Sequence, residues 1–212
     1  MRVLLPAIGA VFFACATAPV RVPFDVSAPT VIPDGVLGRI DSDGSTTLYM
    51  EGWDLKIAVQ NQRSYVRGSR WDLSVVLFPL PMIIPTVAQE VNPPEDRGLS
   101  PLVVFLHFHS RVDGLVFYPD SVRVLPDDGQ AESMKAFIGP ADLTCSTDWE
   151  SPEASREFVL PPGEPSCFVL QFPTPGSPDT GFQLHLSGIA TSGEPTPPID
   201  LRFAKFTGNT VD

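Results

Sequence analysis

Residues 53–59 read Trp-Asp-Leu-Lys-Ile-Ala-Val, and in this stretch every second residue is large and apolar. Successive side chains of a β-strand point to opposite faces of the sheet, so this alternation predicts a strand with one buried face. Residues 71–77 have the same pattern, and so do residues 102–108, where Leu, Val, Leu and Phe alternate with Val, Phe and His. No segment has a convincing helical period, so the chain is predicted to be all-β.

Short apolar runs bounded by Pro, Gly, Asp and Asn continue along the chain, and such boundaries are typical of turns. Further strands are predicted at residues 102–109, 114–118, 122–125, 134–138, 157–160, 167–172, 182–186 and 199–206. Two stacked antiparallel sheets bury alternating faces best, so the sequence predicts an antiparallel β-sandwich with long Pro-rich loops. Residues 36–212 are predicted to form this single domain.

One Pro-rich stretch, residues 79–101, is predicted to be a long connection, because proline confines any pairing to a sheet edge or crossover. Inside it lies a short apolar cluster formed by Met82, Ile83 and Ile84. We expect these three residues to cover the open end of the core. The alternative is a hydrophobic patch presented to a partner.

Three segments carry a resemblance to a known type of domain: residues 55–61 (Leu-Lys-Ile-Ala-Val-Gln-Asn), residues 116–119 (Val-Phe-Tyr-Pro), and residues 182–188 followed by 199–203. With them, residues 48–206 resemble the immunoglobulin-like β-sandwich module of uncharacterised bacterial lipoproteins. The resemblance implies an immunoglobulin-like fold. It implies no catalytic residues, because such modules share none.

Composition excludes several classes of protein. The 212 residues include 24 Pro and carry a formal net charge of -11, and 43% of them are hydrophobic. That hydrophobic fraction is too high for a disordered tail, and no apolar run is long enough for a membrane-spanning helix. Nucleic acid is not expected as a partner, because the only lysines are Lys56, Lys135 and Lys205 and the surplus charge is acidic.

The first residues are predicted to be a signal peptide, residues 1–14, because one Arg precedes a short apolar stretch. The segment Phe12-Phe13-Ala14-Cys15 resembles a bacterial lipoprotein signal, which implies acyl chains on Cys15 and a location at the outer membrane, facing the periplasm or the surface. The alternative is an ordinary cut after Ala16 that releases a periplasmic or secreted protein. Residues 15–35 are predicted to be a Pro-rich tether of roughly 56 Å.

Two further cysteines, Cys145 and Cys167, are predicted to form a disulfide, because the protein is expected to reach an oxidising compartment. Closing the intervening loop would remove about 3.4 kcal/mol of unfolded-chain entropy. The alternative is two free thiols.

A metal site is the first candidate for chemistry. His107 and His109 lie two apart on a predicted strand, so they share a face, and His185 lies on the polar face of another strand. A three-histidine site would require these strands to be neighbours in one sheet. The other candidate ion site, residues 41–44 (Asp-Ser-Asp-Gly), lacks the later ligands of a calcium loop and is predicted to be a turn.

Hydrolysis is the second candidate, with Glu150 and Glu153 as paired carboxylates, although solvated acids explain this Ser- and Pro-rich segment better. No nucleophile or phosphate-binding motif is present in the sequence. We therefore expect a protein that is not an enzyme and has no cofactor. The favoured function is a lipid-tethered binding or structural accessory with an envelope protein as its partner. The alternatives are a periplasmic metal-binding protein and a hydrolase with an unrecognised site.

Overall fold

The computed structural model describes residues 21–61, 63–64, 67–77, 81–91, 101–141, 149–151 and 157–211. Within these ranges the chain forms antiparallel β-strands, which we group into four sheets, and a 3-10 turn at Pro119–Ser121. The all-β prediction is confirmed. The largest sheets have six strands each.

Sheet 1 contains the strands that begin and end the described chain, and these two strands lie side by side. Its order is β11 (Glu132–Ser133), β10 (Arg123–Pro126), β15 (Phe182–Leu186), β18 (Ile199–Val211), β1 (Arg21–Pro29) and β5 (Arg63–Ser64).

Sheet 2 contains two of the most regular strands predicted from the sequence. Its order is β12 (Ala136–Ala141), β14 (Pro165–Pro175), β8 (Pro101–Ser110), β4 (Trp53–Val59), β3 (Thr46–Met50) and β2 (Leu37–Ile40). The strand predicted at residues 53–59 is β4, with the same bounds.

Two smaller sheets complete the described structure. The order of sheet 3 is β13 (Phe158–Leu160), β9 (Leu115–Phe117), β16 (Ile189–Thr191) and β17 (Glu194–Pro195), and sheet 4 pairs β6 (Arg67–Leu77) with β7 (Pro81–Val91).

One hydrophobic core is shared by sheets 1, 2 and 3, as a sandwich requires. Sheet 2 contributes Phe108, whose ring centroid lies 4.9 Å from that of Phe117 in sheet 3. Sheet 1 contributes Phe182 and Phe203, whose rings stack 4.8 Å apart. In β4 and β8, two of the strands predicted from alternation, every second residue therefore faces this core, and the residues between them face away from it. The immunoglobulin-like subtype of the sandwich stays a prediction.

The predicted tether at residues 15–35 is wrong for residues 21–29, which form β1. This strand pairs along its whole length with β18, from Arg21 opposite Val211 to Pro29 opposite Phe203. Phe24, which is 3% exposed, is buried on it together with Val26 and Ala28. Burial of these alternating apolar residues stabilises a paired strand despite the flanking prolines, so this segment belongs to the folded domain.

The predicted long connection at residues 79–101 is also wrong in part, because β7 lies inside it. β7 pairs with β6, and Met82, Ile83 and Ile84 lie opposite Val76, Val75 and Ser74. A two-stranded sheet has only edge strands, which is where proline is tolerated. The side-chain surroundings of the apolar cluster lie outside the described residues, so its role stays a prediction.

The turn predicted at residues 41–44 joins β2 to β3. The amide of Asp41 donates to the carbonyl of Ser45 at 2.8 Å, and Gly44 has a φ of 82°. Oδ1 of Asp43 accepts bonds from the amide and hydroxyl of Ser45 at 2.9 and 2.6 Å. Burial raises the pKa of Asp43, but the Ser45 hydrogen bonds and nearby Lys56 bring it below its ordinary value.

Candidate functional site

The outer face of sheet 2, which points away from the shared core, carries two rows of side chains in register. We call this surface the outer face. The first row is Leu37, Tyr49, Asp54, His109 and Pro165. The second row is Arg39, Thr47, Lys56, His107 and Cys167. Residues directly opposite each other on neighbouring strands are close enough to interact, so each row forms one continuous strip.

The outer face changes from buried to exposed across the sheet. On the β14 side, Cys167, Val169 and Ile138 form a second small hydrophobic cluster and are no more than 6% exposed. At the β2 side, Leu37 is 75% exposed and Tyr49 is 42% exposed. The accessible part of the outer face is therefore formed by β2, β3, β4 and β8.

Asp54 of the first row forms an ion pair with Arg111. Nη1 of Arg111 lies 2.5 Å from Oδ2 of Asp54, and its other terminal nitrogen donates to the carbonyl of Met50 at 3.4 Å. Oδ1 of Asp54 is buried and has no hydrogen-bond partner in the described structure. Because Asp54 lies between Tyr49 and His109, the strip places an exposed tyrosine, a carboxylate with its guanidinium partner, and an imidazole on three neighbouring strands.

His107 in the second row is half-buried and stacks on Phe105, with ring centroids 6.4 Å apart. Burial lowers the pKa of His107, and the ammonium of Lys56 on the neighbouring strand lowers it further. The imidazole is therefore uncharged at neutral pH. Lys56 is exposed and forms no ion pair with any residue that the structure describes.

The predicted three-histidine metal site is wrong. His107 and His109 lie on β8 in sheet 2, whereas His185 lies on β15 in sheet 1. Nδ1 of His185 lies 2.8 Å from Oδ1 of Asp200, directly opposite on β18. Among the described residues, no group of three His, Cys, Asp or Glu side chains could hold a metal ion.

The structure describes only some of the predicted cysteines and only one residue of the predicted acidic pair. Cys167 is buried on β14 and is disulfide-bonded. Cys15, Cys145 and Glu153 lie outside the described residues, so the pairing of Cys167 with Cys145 stays a prediction. Glu150 is exposed and forms an isolated bridge with Phe137.

Sequence reasoning missed a buried carboxylate at Asp25, which is 2% exposed. Nζ of Lys205 lies 2.8 Å from Oδ2 of Asp25 and 3.0 Å from Oδ1 of Asp179, and these hydrogen bonds raise the pKa of Lys205. Thr207, opposite Asp25 on β18, donates its hydroxyl to Oδ1 at 2.7 Å. The only signal in the sequence was an acid between two apolar residues, Phe24 and Val26.

The chain was compared with family models, with curated proteins and with solved structures, and none of them matches it. No helix in the part of the chain described here is long and apolar enough to cross a membrane.

Proposed function

We propose that this protein is an exported, lipid-tethered envelope protein that binds a partner protein through the accessible part of the outer face, without catalysis. The observation that carries the proposal is the composition of that surface. Exposed Leu37 and Tyr49 lie in one strip with His109 and the Asp54–Arg111 pair. Mixed aromatic, apolar and polar groups on a rigid sheet suit recognition of a protein surface.

The anchor is the second part of the proposal. The apolar leader and Cys15 support it, together with the resemblance to lipoprotein signals, and the mature domain would have an immunoglobulin-like sandwich. Because β1 begins at Arg21, only residues 16–20 separate Cys15 from the folded domain. Such a segment spans at most about 20 Å when fully extended, so the domain would stay close to the lipid surface.

Labelling with a palmitate analogue tests the anchor. We expect label on the unaltered chain and none on Cys15→Ser. Equal labelling of both, or no labelling of the unaltered chain, would overturn this part of the proposal.

Site-specific photo-cross-linking in cells tests the binding surface. We expect p-benzoylphenylalanine at Tyr49 to give a discrete adduct that disappears when Lys56→Glu and His109→Glu are added. The matched control places the same probe at Val159, which is 63% exposed on sheet 3. The absence of any adduct at Tyr49, identical adducts at both positions, or an adduct that survives both substitutions would refute the assignment.

A further inference from the structure

Among the described strands, β2 lies at one edge of sheet 2 and pairs with β3 alone. The amide of Asp41 donates to the carbonyl of Ser45, its partner on the β3 side. Main-chain groups of successive residues in an antiparallel strand point alternately to the two sides. Leu37 and Arg39 therefore bond to β3, whereas the amides and carbonyls of Gly38 and Ile40 point away from the sheet.

This edge is open. Leu37 is 75% exposed, the Arg39 side chain is 67% exposed, and Gly38 is exposed between them. No described residue forms a hydrogen bond with the outward groups of Gly38 and Ile40. Proline and charged side chains are among the features that protect edge strands. β2 contains no proline, and Nε of Arg39 is neutralised by Oδ1 of Asp41 at 2.7 Å.

We propose that β2 pairs antiparallel with β2 of a second copy of this chain, related by a two-fold axis that passes beside Arg39. In this register Gly38 lies opposite Ile40 of the second copy, so all the outward main-chain groups of both residues form hydrogen bonds. A closed dimer results, and the two copies of sheet 2 become one continuous sheet.

The charges of the edge favour a second copy over an unrelated strand. The same register places Arg39 directly opposite Arg39 of the second copy, and each of these guanidinium groups lies between Asp41 of its own strand and, diagonally, Asp41 of the other copy. Two guanidinium groups and two carboxylates then alternate around the axis with no net charge. Leu37 lies diagonal to Arg39 of the second copy, whose methylene stem covers part of its exposed surface. The edge is thus complementary to itself in the register that satisfies its main chain.

Sedimentation equilibrium of the chain carrying Cys15→Ser tests the proposal without interference from a lipid anchor. We expect a concentration-dependent mass that approaches twice that of the monomer. Arg39→Asp places four carboxylates around the axis, and like charges at an interface are costly, so dissociation should increase about tenfold or more. The matched control, Val159→Asp, changes an exposed residue on an edge strand of sheet 3 and should leave the dimer intact.

Cross-linking gives a second readout. In the proposed register the Cα atoms of the two Arg39 residues lie about 4.5 Å apart, within the range that a disulfide bridges. Arg39→Cys should therefore form a covalent dimer under oxidation, and Val159→Cys should not. A chain that stays monomeric at all concentrations, or a dimer that is unaffected by Arg39→Asp, would overturn the proposal.

Discussion

The ammonium nitrogen of Lys205 lies 2.8 Å from Oδ2 of Asp25, whose side chain is only 3% exposed. Asp25 is thus a buried carboxylate paired with a cation that remains partly in water. Removing one partner of such a pair leaves the other charge without compensation in a poorly solvated place.

We expect Lys205→Met to lower the midpoint of thermal unfolding by several degrees, measured by circular dichroism. Lys205→Arg keeps a cation within reach of Asp25 and should therefore lower this midpoint by fewer degrees. The control is Lys135→Met, because Lys135 is exposed and forms no ion pair within the described structure. If Lys205→Met were as stable as Lys135→Met, the pair would not stabilise the fold.

Two leucines provide a matched test of the core. Leu55 is 0% exposed on β4, whereas Leu37 is 75% exposed on β2. Leu55→Ala should reduce the free energy of unfolding by about 2–5 kcal/mol, because it removes buried methyl groups and leaves a cavity. Leu37→Ala should change it by less than about 0.5 kcal/mol. Denaturant titration checks both values, and equal losses would contradict the assigned core face.

Asp43 should contribute to the loss of fold stability at acidic pH. Its pKa is lowered in the folded state, so its contribution to stability is complete above the unfolded pKa and is lost as pH falls through the folded pKa. We expect Asp43→Asn, which can still accept the Ser45 bonds, to lose less stability between about pH 5 and pH 3 than the unaltered chain. The midpoint of urea unfolding across this range is the measurement. Parallel curves for the two proteins would show that Asp43 has no part in acid sensitivity.

His107 should titrate below the ordinary histidine range, because burial and Lys56 both lower its pKa. The neutral imidazole is favoured in the fold, so its contribution to stability is present above about pH 6.5 and declines as pH falls below it. Proton NMR of the His107 ring should report this low pKa. Lys56→Met should raise the pKa only in part, because burial is the larger cause. An ordinary pKa for His107 would contradict the half-buried position of its ring.

The strands that could be predicted from the sequence are those with an uninterrupted period of two. β4 was predicted with its observed bounds, and β8 was predicted to within one residue at each end, because every second side chain enters the core. β1 and β7 were missed because prolines interrupt their pattern, which predicted an extended tether for the first segment and a long connection for the second. β1 depends on a long-range partner, β18, whereas β7 pairs with β6, the strand just before it in the chain.

The site could be predicted less well than the fold. The shared face of His107 and His109 follows from spacing alone, but the separation of His185 follows from strand order, which local sequence does not encode. The outer face depends in the same way on the register of five strands. Lys56, for example, lies opposite His107, and Asp54 lies between Tyr49 and His109, only because β3, β4 and β8 pair as they do.

The pairing of β1 with β18 also has a consequence for the order of folding. Arg21 lies opposite Val211, so the first of the described strands is completed by the last of them. Sheet 1 cannot close until β18 has emerged from the ribosome. A growing chain therefore keeps this sheet open until β18 has been made.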